Sequence, residues 1–113
     1  MKKGDIYYAD LGSGVGSEQT GSRPVIIFQN QKINQLTQTI IIIPLTTNLR
    51  RMQLPISLFI PKGNGGLPED SVVLCHQIRI IALKRLKEYL GTLSDDIIKQ
   101  IDEKLLFTLD ISK

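Results

Sequence analysis

Residues 39–47 read TIIIIPLTT, four isoleucines in a row between threonines, with Pro44 breaking the run. Isoleucine and threonine are stiff at χ1 and pack well on a pleated surface, so a short run of them predicts a strand. Pro44 has no N–H to donate to a ladder and predicts an edge position or a bulge. Upstream, VIIFQN at 25–30 and IYYADL at 6–11 predict two more strands, the latter ended by GSGVGS. Downstream, PISLFI at 55–60 alternates and is closed by the turn cluster PKGNGGLPED. SVVLCHQIRII, residues 71–81, then predicts one further buried strand. Residues 84–92 read two ways, with LKRL as a helical turn and EYLGTL as a short strand.

After residue 92 the period changes. Ser94 followed by Asp95 and Asp96 predicts a helix start, because a serine side chain caps free N–H groups and acids suit the positive end of the dipole. Ile97, Ile101, Leu105 and Leu109 recur at four-residue steps, widened by Ile98 and Leu106, which gives the helix one apolar face. The expected class is mainly β (α+β): a small twisted barrel of five to seven strands with a C-terminal helix.

Composition narrows the functional classes. At 113 residues the chain has the size of one domain, and 42% hydrophobic with 22% charged residues is an ordinary globular balance. The longest apolar run, Ile40 to Leu45, is far too short for a membrane span, and the start MKKGDIYYADLG lacks the apolar core of a signal peptide. Cys75 is alone, so no disulfide framework or thiolate metal cluster forms within one chain, and a reducing cytoplasm fits. Fourteen Lys and Arg against eleven Asp and Glu give +3 and a pI near 9.1, which permits phosphate binding without requiring it. Asp5, Asp10, Glu69 and Asp70 are scattered without metal-ligand spacing, so no metal and no cofactor is expected. GSGVG is not a phosphate loop, because no helix is predicted after it.

Four segments taken together are more specific. KKGDIYYADL (2–11), GSEQTGSRPVIIFQN (16–30), IIPLTTNLRRMQLP (42–55) and DSVVLCHQIR (70–79), followed by an amphipathic helix, resemble the bacterial MazF/PemK/Kid toxins in order and nearly end to end. GSEQ-x-G-x-RP is the most specific part. The resemblance implies an SH3-like barrel forming one toxin domain over residues 1–113. It also implies a homodimer, a cognate MazE-like antitoxin, and a ribosome-independent endoribonuclease that cuts single-stranded RNA such as mRNA at short sequences. Carried over position by position, it implies Arg23 and Thr46 as catalytic residues, with an offset to the adjacent Thr47 left open. Ser17, Glu18, Gln19, Asn30, Arg50, Leu54 and Gln77 are implied as substrate-binding residues. CHQ at 75–77 departs from relatives that carry an acid before the glutamine.

The physical reading of the motif agrees with those roles. Gly16 and Gly21 let a loop fold back so that amides and Arg23 converge, and Pro24 fixes the exit into the next strand. A guanidinium is a permanent planar cation that grips a phosphate at two points, where lysine offers a point charge. When a 2′-hydroxyl attacks the neighbouring phosphate, charge grows on the non-bridging oxygens and donors aimed there speed the step. The general base is not assigned, since an arginine accepts a proton poorly and His76 reads first as a core or rim histidine. Glu18 and Gln19 read as contacts to bases or as braces for Arg23. Gln77 reads as a base contact or a partner for backbone groups, and Arg50 and Arg51 as phosphate guides or a solvated pair. Two other classes share the fold expectation. A CcdB-like gyrase poison relies on a tryptophan near its C-terminus, which this chain lacks, and a non-catalytic RNA-binding barrel would bind without scission.

Overall fold

The computed structural model describes residues 1–112. Seven strands, β1 (Asp5–Asp10), β2 (Ser22–Ile27), β3 (Thr39–Thr46), β4 (Ser57–Ile60), β5 (Ser71–Leu74), β6 (Arg79–Ala82) and β7 (Leu86–Thr92), precede helix α1 (Asp95–Thr108). All pairings are antiparallel in the order β4-β5-β3-β2-β1-β7, with β6 as a further partner of β3. The mainly β class with one C-terminal helix is as expected. The two ends of the order, β4 and β7, do not pair, so the sheet stays open and "barrel" describes it only approximately.

Strand β3 lies at the centre because it carries a core on each face. Ile40 and Ile42 join Ala9, Leu11, Val25, Ile27 and Ile81 in one apolar cluster. Ile43 and Leu45 join Ile6, Ile26, Val73, Ile101 and Leu105 in the other. Successive side chains point to opposite faces, so a strand buried on both sides needs an unbroken apolar run, which is what the four isoleucines supply.

Pro44 is not at an edge. It faces Val25 of β2, at the point where the other side of β3 passes from β6, paired to Thr39–Ile42, to β5, paired to Leu45 and Thr46. A gap between two partners is the place in a central strand that tolerates a residue without an N–H. The same gap overturns the single strand expected over 71–81. Leu45 faces Val73 while Ile42 faces Arg79, so a three-residue step on β3 spans six residues opposite, and a 3-10 turn at Cys75–Gln77 takes up the excess. Cys75 stays buried through that turn, which is why the apolar pattern hid it. Burial pushes the Cys75 thiol up to about 11, so it serves as a small core residue. Residues 84–92 hold both readings, a 3-10 turn at Leu83–Arg85 leading into β7.

Ser94 caps α1 by accepting the Ile97 N–H at 3.4 Å, with Asp95 and Asp96 in the first turn. Ile101 and Leu105 are buried against the sheet, whereas Leu109 lies past the helix end and is 49% exposed, so the apolar stripe stops short of it. Another 3-10 turn, Asn64–Gly66, lies directly on β7: a Cβ on Gly66 would stand 2.1 Å from the Leu90 carbonyl oxygen. That close approach delivers Pro68 and Glu69 to the cleft described next. No helix among the described residues is long and apolar enough to cross a membrane.

Candidate active site

The β1–β2 connection folds back as a tight loop. Leu11 N–H donates to Gly21 O at 3.0 Å and Gly21 N–H to Gly12 O at 2.9 Å. Gly16 and Gly21 take φ values of +60° and +74°, a region that side chains disfavour, so both glycines are needed for the reversal. β2 begins at Ser22, earlier than the sequence predicts, and this places Arg23 in the strand with its backbone fixed opposite Ala9.

The Arg23 side chain is tied on one side only. Nε donates to Thr20 O at 2.8 Å, and Nη1 donates to Gln19 Oε1 and, at 3.4 Å, to Leu45 O. Nη2 has no hydrogen-bond partner among the described residues. The half-buried guanidinium lines a cleft of about 240 Å³ walled by Tyr8, Ser22, Thr47, Pro68, Glu69 and Ser71. Burial first, and then the Arg51 charge, lowers its pKa from the ordinary arginine value. The ion pairs among the described residues are Lys2–Asp5 and Lys3–Asp102, so neither Arg23 nor Arg51 has a carboxylate partner.

Gln19 is the brace. Only 7% exposed, it accepts from Arg23 through its side chain, and its N–H donates to Gln77 Oε1 at 2.9 Å. Gln77 Nε2 donates to Ser17 O at 3.0 Å, and Arg51 Nη2 reaches the same carbonyl at 3.4 Å. Glu18 closes the loop on itself by accepting the Val15 N–H at 2.6 Å. Ser17, Glu18 and Gln77 border a second cleft of about 470 Å³ together with His76, which lies on its rim. Burial, then Arg51, lowers the His76 pKa from its ordinary 6.5. Arg51 therefore acts electrostatically on residues of both clefts.

Thr46 is buried at the end of β3, and its Oγ1 accepts the Asn48 N–H at 3.1 Å. The hydroxyl proton is left to donate elsewhere. The Asn48 side chain in turn accepts the Arg50 N–H at 3.2 Å and opens the 3-10 turn Leu49–Arg51 that carries Arg51 back to the loop. Thr47 is exposed and lines the Arg23 cleft directly.

The structure thus gathers Ser17, Glu18, Gln19, Arg23 and Gln77, with Thr46 and Thr47 at the adjoining strand end. Arg50 and Leu54 are exposed on the 3-10 turn and the segment after it, outside the Arg23 cleft. Asn30 is not brought in: it lies beyond the opposite end of β2, where its side chain caps another 3-10 turn by accepting the Lys32 N–H at 2.9 Å. Sequence reasoning put Arg50 ahead of Arg51, and Asn48 as a turn-capping residue is the signal that distinguishes them. Tyr8, Pro68 and Glu69 as cleft walls carry no local signal, because sheet topology alone places them. No group of three or more His, Cys, Asp and Glu among the described residues is arranged to hold a metal ion.

Comparison with known proteins gives one consistent result. Residues 2–109 match the profile of the family described as PemK-like, MazF-like toxin of type II toxin-antitoxin system. Endoribonuclease EndoA of Bacillus subtilis (strain 168) is 38% identical over 109 residues, 96% of this chain and 94% of that protein. Among solved structures, MazF from Deinococcus radiodurans superposes with a TM-score of 0.83 at 22% identity, covering 98% of this chain and 97% of that one. A mycobacterial endoribonuclease in complex with its cognate antitoxin gives 0.81 at 23% identity, covering 100% and 98%. At these identities the two structures establish a shared fold.

Proposed function

The chain belongs to the PemK-like, MazF-like toxin family of type II toxin-antitoxin systems, and from that premise we propose that it is an endoribonuclease that cuts single-stranded RNA at specific sequences. The relative at 38% identity that spans nearly the whole chain is named for this activity. The observation that carries the reading is the Arg23 guanidinium, braced through Nε and Nη1, lining a cleft and without a carboxylate ion-pair partner among the described residues. A guanidinium at a cleft without an ion-pair partner suits a phosphodiester.

In this proposal the 2′-hydroxyl gives up its proton to solvent as its oxygen attacks the adjacent phosphorus, the P–O2′ bond forms, the P–O5′ bond breaks, and the departing O5′ takes a proton from solvent. The products are a 2′,3′-cyclic phosphate and a 5′-hydroxyl. Arg23 donates to the non-bridging oxygens as their charge grows, and the Thr46 hydroxyl supplies a second donor. Chemistry of this kind needs no metal and no cofactor. Ser17 and Glu18 contact the strand from the second cleft, and Arg50 and Leu54 extend the RNA track on a homodimer of single-domain protomers, with Asn30 left outside it. The face that carries Arg23 and Arg51 is the surface an acidic MazE-like antitoxin segment covers, as one structural neighbour is found with its antitoxin. A cytoplasmic location places the protein with its mRNA substrate.

The test is long single-stranded RNA incubated with the purified protein in excess chelator, with fragment ends mapped and their chemistry determined. Discrete cuts ending in cyclic phosphate support the proposal. Binding without scission, or inhibition of topoisomerase in place of scission, overturns it.

A further inference from the structure

We propose that Gln77 is a positioning residue for Arg23, acting through Gln19, so that the 3-10 turn between β5 and β6 sets the aim of the reacting guanidinium. The inference rests on the endoribonuclease reading and deepens it. Both ends of the Gln77 amide are used on one stretch of the loop: Oε1 accepts from Gln19 N–H at 2.9 Å and Nε2 donates to Ser17 O at 3.0 Å. One planar amide bonded to alternate residues imitates the edge of a strand and fixes the Ser17–Gln19 backbone. Glu18 ties the segment to Val15 by two bonds, its N–H donating to Val15 O at 3.2 Å and its carboxylate accepting from Val15 N–H at 2.6 Å, and Arg51 Nη2 reaches Ser17 O at 3.4 Å, but the Gln19 N–H that leads to Arg23 is held by Gln77.

The turn that carries Gln77 is anchored in the core. Cys75, at the start of the same turn, is fully buried in the core cluster that contains Ile101 and Leu105 of α1. A displacement of the Gln77 amide therefore moves the Gln19 backbone, and with it the buried Gln19 amide that accepts from Arg23. Hydrogen bonding to the loop backbone, more than reading of a base, is what this geometry gives Gln77.

The test combines kinetics with a readout that needs no RNA. Gln77→Leu removes both bonds, and Gln77→Glu keeps the acceptor while losing the donor. Misaiming a catalytic group lowers turnover roughly 10- to 100-fold with little change in KM. The expected result is such a loss in kcat for Gln77→Leu and a smaller one for Gln77→Glu. Adding Gln77→Leu to Gln19→Ala should cost less than about twofold more, because both changes cut the same chain of contacts. In RNA-free protein the Arg23 Nε–H NMR signal, assigned by its absence in Arg23→Lys, should shift or broaden in Gln77→Leu. An unmoved Arg23 signal, a loss confined to KM or to one base preference, or multiplying losses in the double variant overturns the proposal. If the wild type cuts no RNA, the endoribonuclease reading falls while the NMR measurement still decides the positioning role.

Discussion

Arg51 holds its charge close enough to Arg23 to help lower the Arg23 pKa, behind the larger effect of burial, and no carboxylate among the described residues pairs with either. Like charges held this way gain when a polyanion arrives, and each phosphate contact to single-stranded nucleic acid adds about 0.7 to the slope of log affinity against log salt. Arg51→Gln should therefore flatten that slope by about 0.7. Titration of RNA blocked by a 2′-O-methyl group at the cleavage site checks this, and equal slopes for Arg51→Gln and wild type would contradict it.

Thr46 and Thr47 separate cleanly by substitution. Valine keeps the shape of threonine and removes the hydroxyl, so Thr46→Val should lose a transition-state donor and slow cleavage by roughly 100-fold. Its stability should drop by only about 1 kcal/mol, for the lost bond to Asn48 N–H. Thr47→Val should retain activity within about threefold. Single-turnover rates and melting temperatures measured together decide it, and the reverse ranking moves the donor role to Thr47.

Asp5 links stability to acid. Burial pushes its pKa up, but the Lys2 N–H, the Thr92 hydroxyl and the Lys2 ammonium outweigh burial and leave it below the ordinary 3.8. The folded state then binds this proton less readily than the unfolded chain, so the stabilisation is complete above about pH 4 and is lost as pH falls through the folded value. Asp5→Asn should be less stable than wild type at pH 7, by roughly 1.5 to 3 kcal/mol for charged hydrogen bonds, and the gap should narrow in acid. Urea denaturation at pH 7 and pH 3 measures both. A gap that is the same at both values would refute the linkage.

Gly66 has φ of +77° and no room for a side chain against Leu90 O. Gly66→Ala should destabilise by at least about 1 to 2 kcal/mol from backbone conformation alone, with steric displacement added. For a domain of about this size that lowers the melting temperature by roughly 4 °C or more. Because Pro68 and Glu69 follow this turn into the Arg23 cleft, cleavage should weaken as well. An unchanged melting temperature would show that the turn does not rest on β7 as described.

Much of this was legible in residue order, and the exceptions have physical causes. The isoleucine run, the serine cap and the four-residue stripe are local patterns, and they marked β3 and α1 directly. The break at Cys75–Gln77 was not local: it exists because β3 changes partner, and Cys75 stays buried on either side of it. The expectation of an edge or a bulge at Pro44 misses the partner change for the same reason. In the site, Arg23 and its glycines were plain from the motif, and so was Gln19 as a possible brace. The long-range bond from Gln77 to Gln19 and the cleft walls Tyr8, Pro68 and Glu69 depend on which strands lie side by side. No spacing rule within a single strand contains that information.

The central claim is that the Arg23 cation acts on charge that appears only as the phosphodiester exchanges bonds. The most direct measurement is the single-turnover cleavage rate of Arg23→Gln at saturating protein, in a variant whose melting temperature matches the wild type. The account predicts a rate lower by roughly 100- to 1000-fold with RNA affinity changed far less. A rate equal to that of the wild type would contradict it.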